Sequence, residues 1–258
     1  MMEGGHTRLT VGEGEAAREI AVIRRDGGEP TLFWLGGFRS EMTGTKATAI
    51  DAYGASYGLG TVRFDYSGHG QSGGRFEDGT ITRWLAEARA VFDRTVPGKA
   101  IVIGSSMGGW IALLLAEALR ETGRVAGLVL IAPAVDMTRA LMWDRWKKKA
   151  RDALTKTGVY HQPSGYSDEP YPIFKSLIED GDRHLFGGRL IEVGCPVHIL
   201  QGALDPEVPR QHAERLVTHL ASDDVVLTLI KDGDHRLSRP ADIARLNAAL
   251  GGLLSPAR

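Results

Sequence analysis

The 258-residue chain predicts an α/β fold: a mostly parallel sheet of about eight strands flanked by helices, in one domain spanning 1–258, with a small helical cap inserted after the sixth strand. Three observations predict it. Short apolar runs alternate with amphipathic helical stretches, as they do where crossover helices join parallel strands. A Gly-x-Ser-x-Gly pentapeptide links one such strand to the helix after it. Finally, about sixty residues between Ala132 and Val193 interrupt the alternation, longer than plain connections usually run.

The elements follow in order. Residues 8–11 and 18–25 read as antiparallel edge strands around a Gly-rich turn. Residues 32–35 form a strand, 46–57 a helix and 61–64 a strand. Ile81–Thr95 is an amphipathic helix with Leu85, Ala88 and Phe92 on one face. Residues 101–103 are a strand, 109–121 a helix, and Val125–Ile131 the sixth strand. Residues 197–200 and Val225–Ile230 complete the sheet, and a helix over 243–254 follows Pro240. Residues 136–190 are the expected cap. Within it, 136–154 reads as one amphipathic helix carrying Met137, Leu141, Met142, Trp143 and Trp146. A Pro/Ser/Tyr-rich stretch over 162–172 and a second helix near 173–179 follow. Long excursions from a rigid scaffold often cover a site. The run Lys147-Lys148-Lys149 reads as a solvated face.

Composition excludes several classes. A formal net charge of -1 at pH 7 supplies no basic stripe for displacing counterions, so no nucleic-acid partner is expected. No apolar run approaches the ~20 residues that span a bilayer, so no stable membrane insertion is expected. The first fifteen residues carry neither a basic start nor an apolar stretch, and no secretory signal is read there. The single cysteine, Cys195, excludes an internal disulfide and fits a reducing compartment; a cytoplasmic location is expected. It precedes Pro196 at the mouth of a strand and reads as a packing residue. No His-Glu-x-x-His or paired-cysteine spacing occurs, so neither metal nor cofactor is expected.

The chemistry gathers around Gly104-Ser105-Ser106-Met107-Gly108. In a strand-to-helix elbow the central residue, Ser106, stands above the sheet edge, and the flanking glycines relieve crowding that a side chain would cause. Serine needs a base to take its proton, and the base needs an orienting carboxylate. Asp205 follows the strand at 197–200, and His235 follows the last strand. All three residues fall at carboxyl ends of strands, where open parallel sheets collect their chemistry. Asp232 and Asp234 share the histidine's loop, so Asp205 is the better orienter. Among other histidines, His69 reads as structural, His198 as packed within a strand, and His212 and His219 as solvated on a helix. Oxyanion donors are expected from the backbone N–H of Met107 and of Phe38, in the Leu35-Gly36-Gly37-Phe38-Arg39 turn. Phe38, Trp143 and Trp146 are expected to line the substrate site.

These residues resemble the serine α/β-hydrolase family and its α/β-hydrolase fold. The resemblance is closest to the group containing a mitochondrial palmitoyl-protein thioesterase and acyl-glucuronide esterase, with its bacterial relatives. It runs over about residues 31–254 and rests on Gly37-Phe38-Arg39-Ser40-Glu41-Met42-Thr43-Gly44-Thr45-Lys46-Ala47, Arg63-Phe64-Asp65-Tyr66-Ser67-Gly68, the elbow through Gly109-Trp110, and Asp234-His235-Arg236. Pro163-Ser164-Gly165-Tyr166-Ser167 in the cap is similar too. The resemblance implies esterase or thioesterase chemistry with Ser106 as nucleophile, Asp205 as acid and His235 as base. The expected activity is cofactor-independent hydrolysis of a small-molecule or acylated ester or thioester through an acyl-enzyme. Two alternatives stay open: a triad-bearing, receptor-like binding module with little turnover, and a peptidase. Dehalogenase and epoxide-hydrolase chemistry would need an aspartate in place of Ser106.

Overall fold

The structure, a computed structural model, describes residues 4–163, 170–222 and 224–254. Its sheet has eight strands: β1 (Gly5–Val11), β2 (Arg18–Arg25), β3 (Gly28–Leu35), β4 (Leu59–Phe64), β5 (Ala100–Ser105), β6 (Val125–Ile131), and, further along the chain, Val197–Gly202 and Val225–Ile230. The spatial order is β1-β2-β4-β3-β5-β6 followed by those last two strands. β1 and β2 pair antiparallel, β2 pairs antiparallel with β4, and every remaining pairing is parallel.

The strand period of two divides the core between the faces. On β3, Leu32 and Trp34 join one cluster and Phe33 and Leu35 the other; on β5, Ile101 and Ile103 separate from Ala100 and Val102 in the same way. Helix α1 (Thr45–Tyr57) contributes Ile50 to the first cluster, and the terminal helix, Pro240–Leu254, contributes Leu246 and Leu250. Helices α2 (Ile81–Thr95) and α3 (Met107–Leu119) cover the opposite face with fully buried Trp84, Phe92 and Trp110. Both faces are covered, which is why the central strands read as continuous apolar runs. Truncating Phe92 to alanine removes a buried ring, a loss of about 3–5 kcal/mol. Helix α2 starts at an N-cap, Thr80, whose hydroxyl accepts from Arg83 N at 3.1 Å.

Between β6 and the next strand of the sheet lies the long excursion. It holds a π-helical turn (Met137–Trp143), α4 (Lys148–Thr157), a hairpin of β7 (Val159–Gln162) and β8 (Tyr171–Phe174), and α5 (Lys175–Gly181). The single helix expected over 136–154 is therefore two pieces. Asp136 sits at φ 54°, and its carboxylate accepts from Phe186 N at 2.9 Å and Gly187 N at 3.0 Å. That tie fixes the entry to the π turn. The hairpin was not expected: four-residue strands containing Pro172 give no period. Residues 164–167 of the Pro163–Ser167 motif lie outside the described residues. At the other end, Asp180 accepts from Thr82 N and Thr82 Oγ1, both at 2.8 Å, which anchors α5 to the start of α2. Lys147, Lys148 and Lys149 are exposed, and Lys148 pairs with Asp152 at 2.7 Å.

The sheet closes with β9 (Val197–Gly202), α6 (Arg210–His219), β10 (Val225–Ile230) and α7 (Pro240–Leu254). Pro240 opens α7, three residues before its expected start; a first-turn proline loses no intrahelical bond. One histidine departs from its expected setting. His212 is buried, with Nε2 2.8 Å from Val135 O, because α6 turns it toward the entry of the excursion. His198 is half-buried on β9, its Nε2 2.9 Å from Thr228 Oγ1. Cys195 is buried, and burial pushes its thiol up to about 12, too high for a nucleophile near neutrality.

Candidate active site

Ser106 occupies the one-residue junction between β5 and α3, at φ 54° and ψ −118°. This is strained backbone for a residue with a side chain, and its neighbours enforce it. A Cβ on Gly104 would meet Gly108 O at 2.3 Å, and one on Gly108 would meet Leu35 O at 2.1 Å. Both obstacles are backbone, so neither can move aside. Ser106 N donates to Ile131 O at 2.9 Å, and Ala134 N donates to Ser106 O at 3.0 Å, so the elbow is also tied to the end of β6.

Ser106 Oγ lies 3.1 Å from His235 Nε2, and His235 Nδ1 lies 2.8 Å from Asp205 Oδ2. The Asp205 side chain is fully buried and that of His235 is 12% exposed. The carboxylate is well supplied with donors: Oδ1 accepts from Glu207 N and Val208 N, each at 2.9 Å, and Oδ2 from Gln201 Nε2 at 3.3 Å. Backbone contact brings the two loops together. A Cβ on Gly202 would strike Gly233 O and Asp234 O at 2.5 Å, and Leu204 N donates to Gly233 O at 2.9 Å. The rival acids are engaged elsewhere. Asp232 pairs with Arg239 at 2.7 Å, and Asp234 Oδ1 accepts from Leu237 N at 3.0 Å. An imidazole so held has one nitrogen fixed by a carboxylate and the other free to exchange a proton with a hydroxyl.

The 36–39 turn runs against the elbow: a Cβ on Gly37 would sit 3.4 Å from Ser106 Cβ. Phe38 packs on Phe76 and Trp84 at ring distances of 5.0 and 6.0 Å. Among the described residues its N–H donates to no protein acceptor. Met107 is the first residue of α3, so its N–H has no intrahelical partner either. Behind Phe38 lies His69, walled in by Tyr66, Phe76 and Trp84; burial lowers it to about 4, which keeps it neutral and apart from the chemistry.

A cavity of about 660 Å³ opens over Ser106 and His235. Phe38 and Val208 from the scaffold line it, as do Met137, Leu141, Met142, Trp146 and Ile173 from the excursion. Trp146 Nε1 donates to Gln162 Oε1 at 2.9 Å, and its ring meets Tyr160 edge-on at 5.0 Å. Trp143 does not line the cavity, contrary to expectation. The guanidinium groups of Arg139 and Arg151 lie against its ring, 6.0 and 5.9 Å from the ring centroid. The reason is local winding. Residues 137, 141 and 142 share a face at the wider π-helical spacing of Met137–Trp143, and a separate turn closed by Trp146 N on Met142 O at 3.0 Å then brings Trp146 to the cavity.

The site also contains residues that sequence reasoning missed. Gln201 is fully buried and spans Gly202 O, Val208 O and Asp205; the signal was an amide at the end of an apolar strand four residues before the acid. Glu207 Oε2 stands 3.4 Å from His235 Nε2. Burial, with Asp205 nearby, raises its pKa. Lys46 lines the cavity wall, donating to Arg236 O and to Ser238 Oγ; burial, with Arg236 nearby, lowers its pKa to about 8. Among the described residues no group of three or more His, Cys, Asp or Glu side chains is arranged to hold a metal ion.

Comparison with known proteins gives a consistent set. Residues 32–246 match the family model described as Alpha/beta hydrolase family. The palmitoyl-protein thioesterase ABHD10, mitochondrial, of Bos taurus is 34% identical over 236 residues, covering 91% of this chain and 76% of that protein. A putative hydrolase from Agrobacterium vitis S4 superposes with a TM-score of 0.95 at 51% identity, covering 98% of this chain and 99% of that one. Alpha/beta hydrolase domain-containing protein 10 from mouse gives 0.87 at 31%, covering 96% and 98%.

Proposed function

The chain belongs to the alpha/beta hydrolase family, and from that premise we propose that it is a serine hydrolase cleaving carboxylic ester or thioester bonds through an acyl-enzyme on Ser106. The observation that carries the reading is the Ser106–His235–Asp205 chain, with its 3.1 and 2.8 Å contacts, at the ends of three strands. His235 Nε2 takes the proton of Ser106 Oγ as the oxygen attacks the acyl carbonyl carbon. Asp205 holds the imidazole through Nδ1–H and stabilises the imidazolium. The N–H groups of Phe38 and Met107 receive the oxyanion of the tetrahedral intermediate. Collapse breaks the bond to the leaving oxygen or sulfur, and His235 delivers the proton to that atom. Water repeats the sequence on the acyl-enzyme, releasing the acid and restoring Ser106.

Residues 136–190 are read as a cap on this single domain. The apolar cavity wall from Met137, Leu141, Met142 and Ile173 supports an acyl group lying beneath it. Trp146 is assigned to the same acyl wall. The bovine relative is named a palmitoyl-protein thioesterase, which favours lipidated thiols as a substrate class. Neither nucleic acid nor a cofactor enters this reading. No helix among the described residues is long and apolar enough to cross a membrane. The compartment read from the sequence, cytoplasmic, differs from the mitochondrial one in the bovine relative's name.

The test is multiple-turnover hydrolysis of matched oxyesters and thioesters, acetyl to palmitoyl, by wild type and Ser106→Ala. Turnover that depends on Ser106 is the expected result, and rates rising with chain length on thioesters would mark a deacylase of lipidated thiols. Turnover of anilides would move the protein to the peptidases. No turnover of any substrate would bring forward the receptor-like binding module.

A further inference from the structure

We propose that Glu207 is a specificity-determining residue that selects the charge of the leaving group. The inference rests on the reading of Ser106 and His235 as nucleophile and base. His235 Nε2 has two oxygens within reach: Ser106 Oγ at 3.1 Å and Glu207 Oε2 at 3.4 Å. The proton taken from Ser106 must travel from Nε2 to the leaving oxygen or sulfur, so the leaving atom enters on the side where Glu207 stands. Whatever substituent that atom carries then lies against the carboxylate. Glu207 itself gains and loses no proton in the cycle.

The position of Glu207 is built, not incidental. Glu207 N donates to Asp205 Oδ1 at 2.9 Å, which folds the 205–208 turn around the acid. From the other side, Arg145 on the excursion donates to Glu207 O at 2.7 Å and to Pro206 O at 3.3 Å. Its backbone is thus clamped between the scaffold and the excursion while its side chain, 42% exposed, faces the cavity.

The charges around it make the consequence specific. Among the described residues, Arg39, Lys46, Arg145 and Arg236 line the same cavity, against the carboxylates of Glu41 and Glu207. Left alone, this wall would draw anionic substrates. Glu207 is the carboxylate in contact with the reacting nitrogen, so it opposes that pull where the leaving group sits. An opposite charge a few ångströms away favours a cationic group, and a like charge disfavours an anionic one.

Three S-butyryl thioesters share one acyl group and differ only in the thiol: 2-mercaptoethanol (neutral), thiocholine (cationic) and mercaptoacetate (anionic). The readout is kcat/KM for each at pH 8 and low salt, by release of thiol, with wild type, Glu207→Gln and Glu207→Asp. Glu207→Gln is expected to lower the thiocholine-to-mercaptoacetate ratio about tenfold, each rate being read relative to that of the neutral thioester so that any change common to all three substrates cancels. Glu207→Asp, which keeps the charge, is expected to hold the wild-type ratio. A ratio in Glu207→Gln within twofold of wild type overturns the inference, as does a loss in Glu207→Asp equal to that in Glu207→Gln. Absence of Ser106-dependent turnover on all three thioesters is a different failure and sinks the functional reading itself.

Discussion

The elbow and the excursion face each other across one cavity, yet they are held by different means. Around Ser106 the fold is set by backbone against backbone: Gly104 against Gly108 O, Gly108 against Leu35 O, Gly202 against Gly233 O. Over the cavity, side chains do the holding. Arg139 pairs with Asp182 at 2.5 Å on half-exposed surface, Trp143 packs against Arg139 and Arg151, and Trp146 bonds Gln162. Close-packed backbone tolerates almost no change. Exposed ion pairs are worth about 0–1 kcal/mol and are readily replaced. On the proposed reading, the reaction is therefore fixed on one side of the cavity and the choice of substrate is adjustable on the other.

Changes on the fixed side should be the most severe. Ser106→Ala is expected to cut kcat by at least about 10⁵-fold while leaving the thermal transition in place, measured by thioester turnover and circular dichroism. Asp205→Asn should lose about 10³–10⁴-fold in kcat, because the amide disturbs the imidazole tautomer that the buried carboxylate enforces. Lys46 tests the wall between the two regions through stability. Its pKa near 8 lies below the ordinary lysine value of 10.5, so between those limits the unfolded chain binds more protons than the folded one. Stability from this group accordingly rises with pH from about 8 to 10.5, by up to about 3 kcal/mol. Lys46→Met should flatten that rise in urea titrations at stepped pH; an unchanged slope would refute it.

On the adjustable side the effects shrink and move to selectivity. Trp146→Ala should change the ratio of long-chain to short-chain acyl turnover by about tenfold, since the ring lines the cavity and its loss opens space there. Trp143→Ala should leave that ratio within about twofold, because its ring is held by Arg139 and Arg151 away from the acyl wall. Equal effects of the two tryptophans would erase the distinction between them.

The same division explains what could be read in advance. Ser106, Asp205 and His235 were legible because each follows an apolar strand, and strand ends are where a parallel sheet places its chemistry. The glycines flanking Ser106 were legible because only one residue type fits the turn. Glu207 and Lys46 were not, since their contacts depend on neighbours far along the chain, His235 Nε2 and Arg236 O; Gln201 was not, since its contacts with Asp205 and Val208 O exist only once the 201–208 turn folds back on it. Trp143 was misplaced because hydrophobic spacing does not distinguish an α turn from a π turn over seven residues. The burial of His212 depended on Val135, more than seventy residues away in sequence.

Arg39 follows Phe38 at φ 58°, and its guanidinium lies 4.8 Å from the ring of Tyr171 on β8 and 5.8 Å from that of Phe76 on the scaffold. The turn carrying a proposed oxyanion donor is thereby stapled to the roof of the cavity. A substrate that pushes Tyr171 outward pulls on the residue next to that donor. On the proposed reading, an acyl chain thick enough to displace Tyr171 is expected to bind and yet react slowly, because it loosens the turn beside that donor.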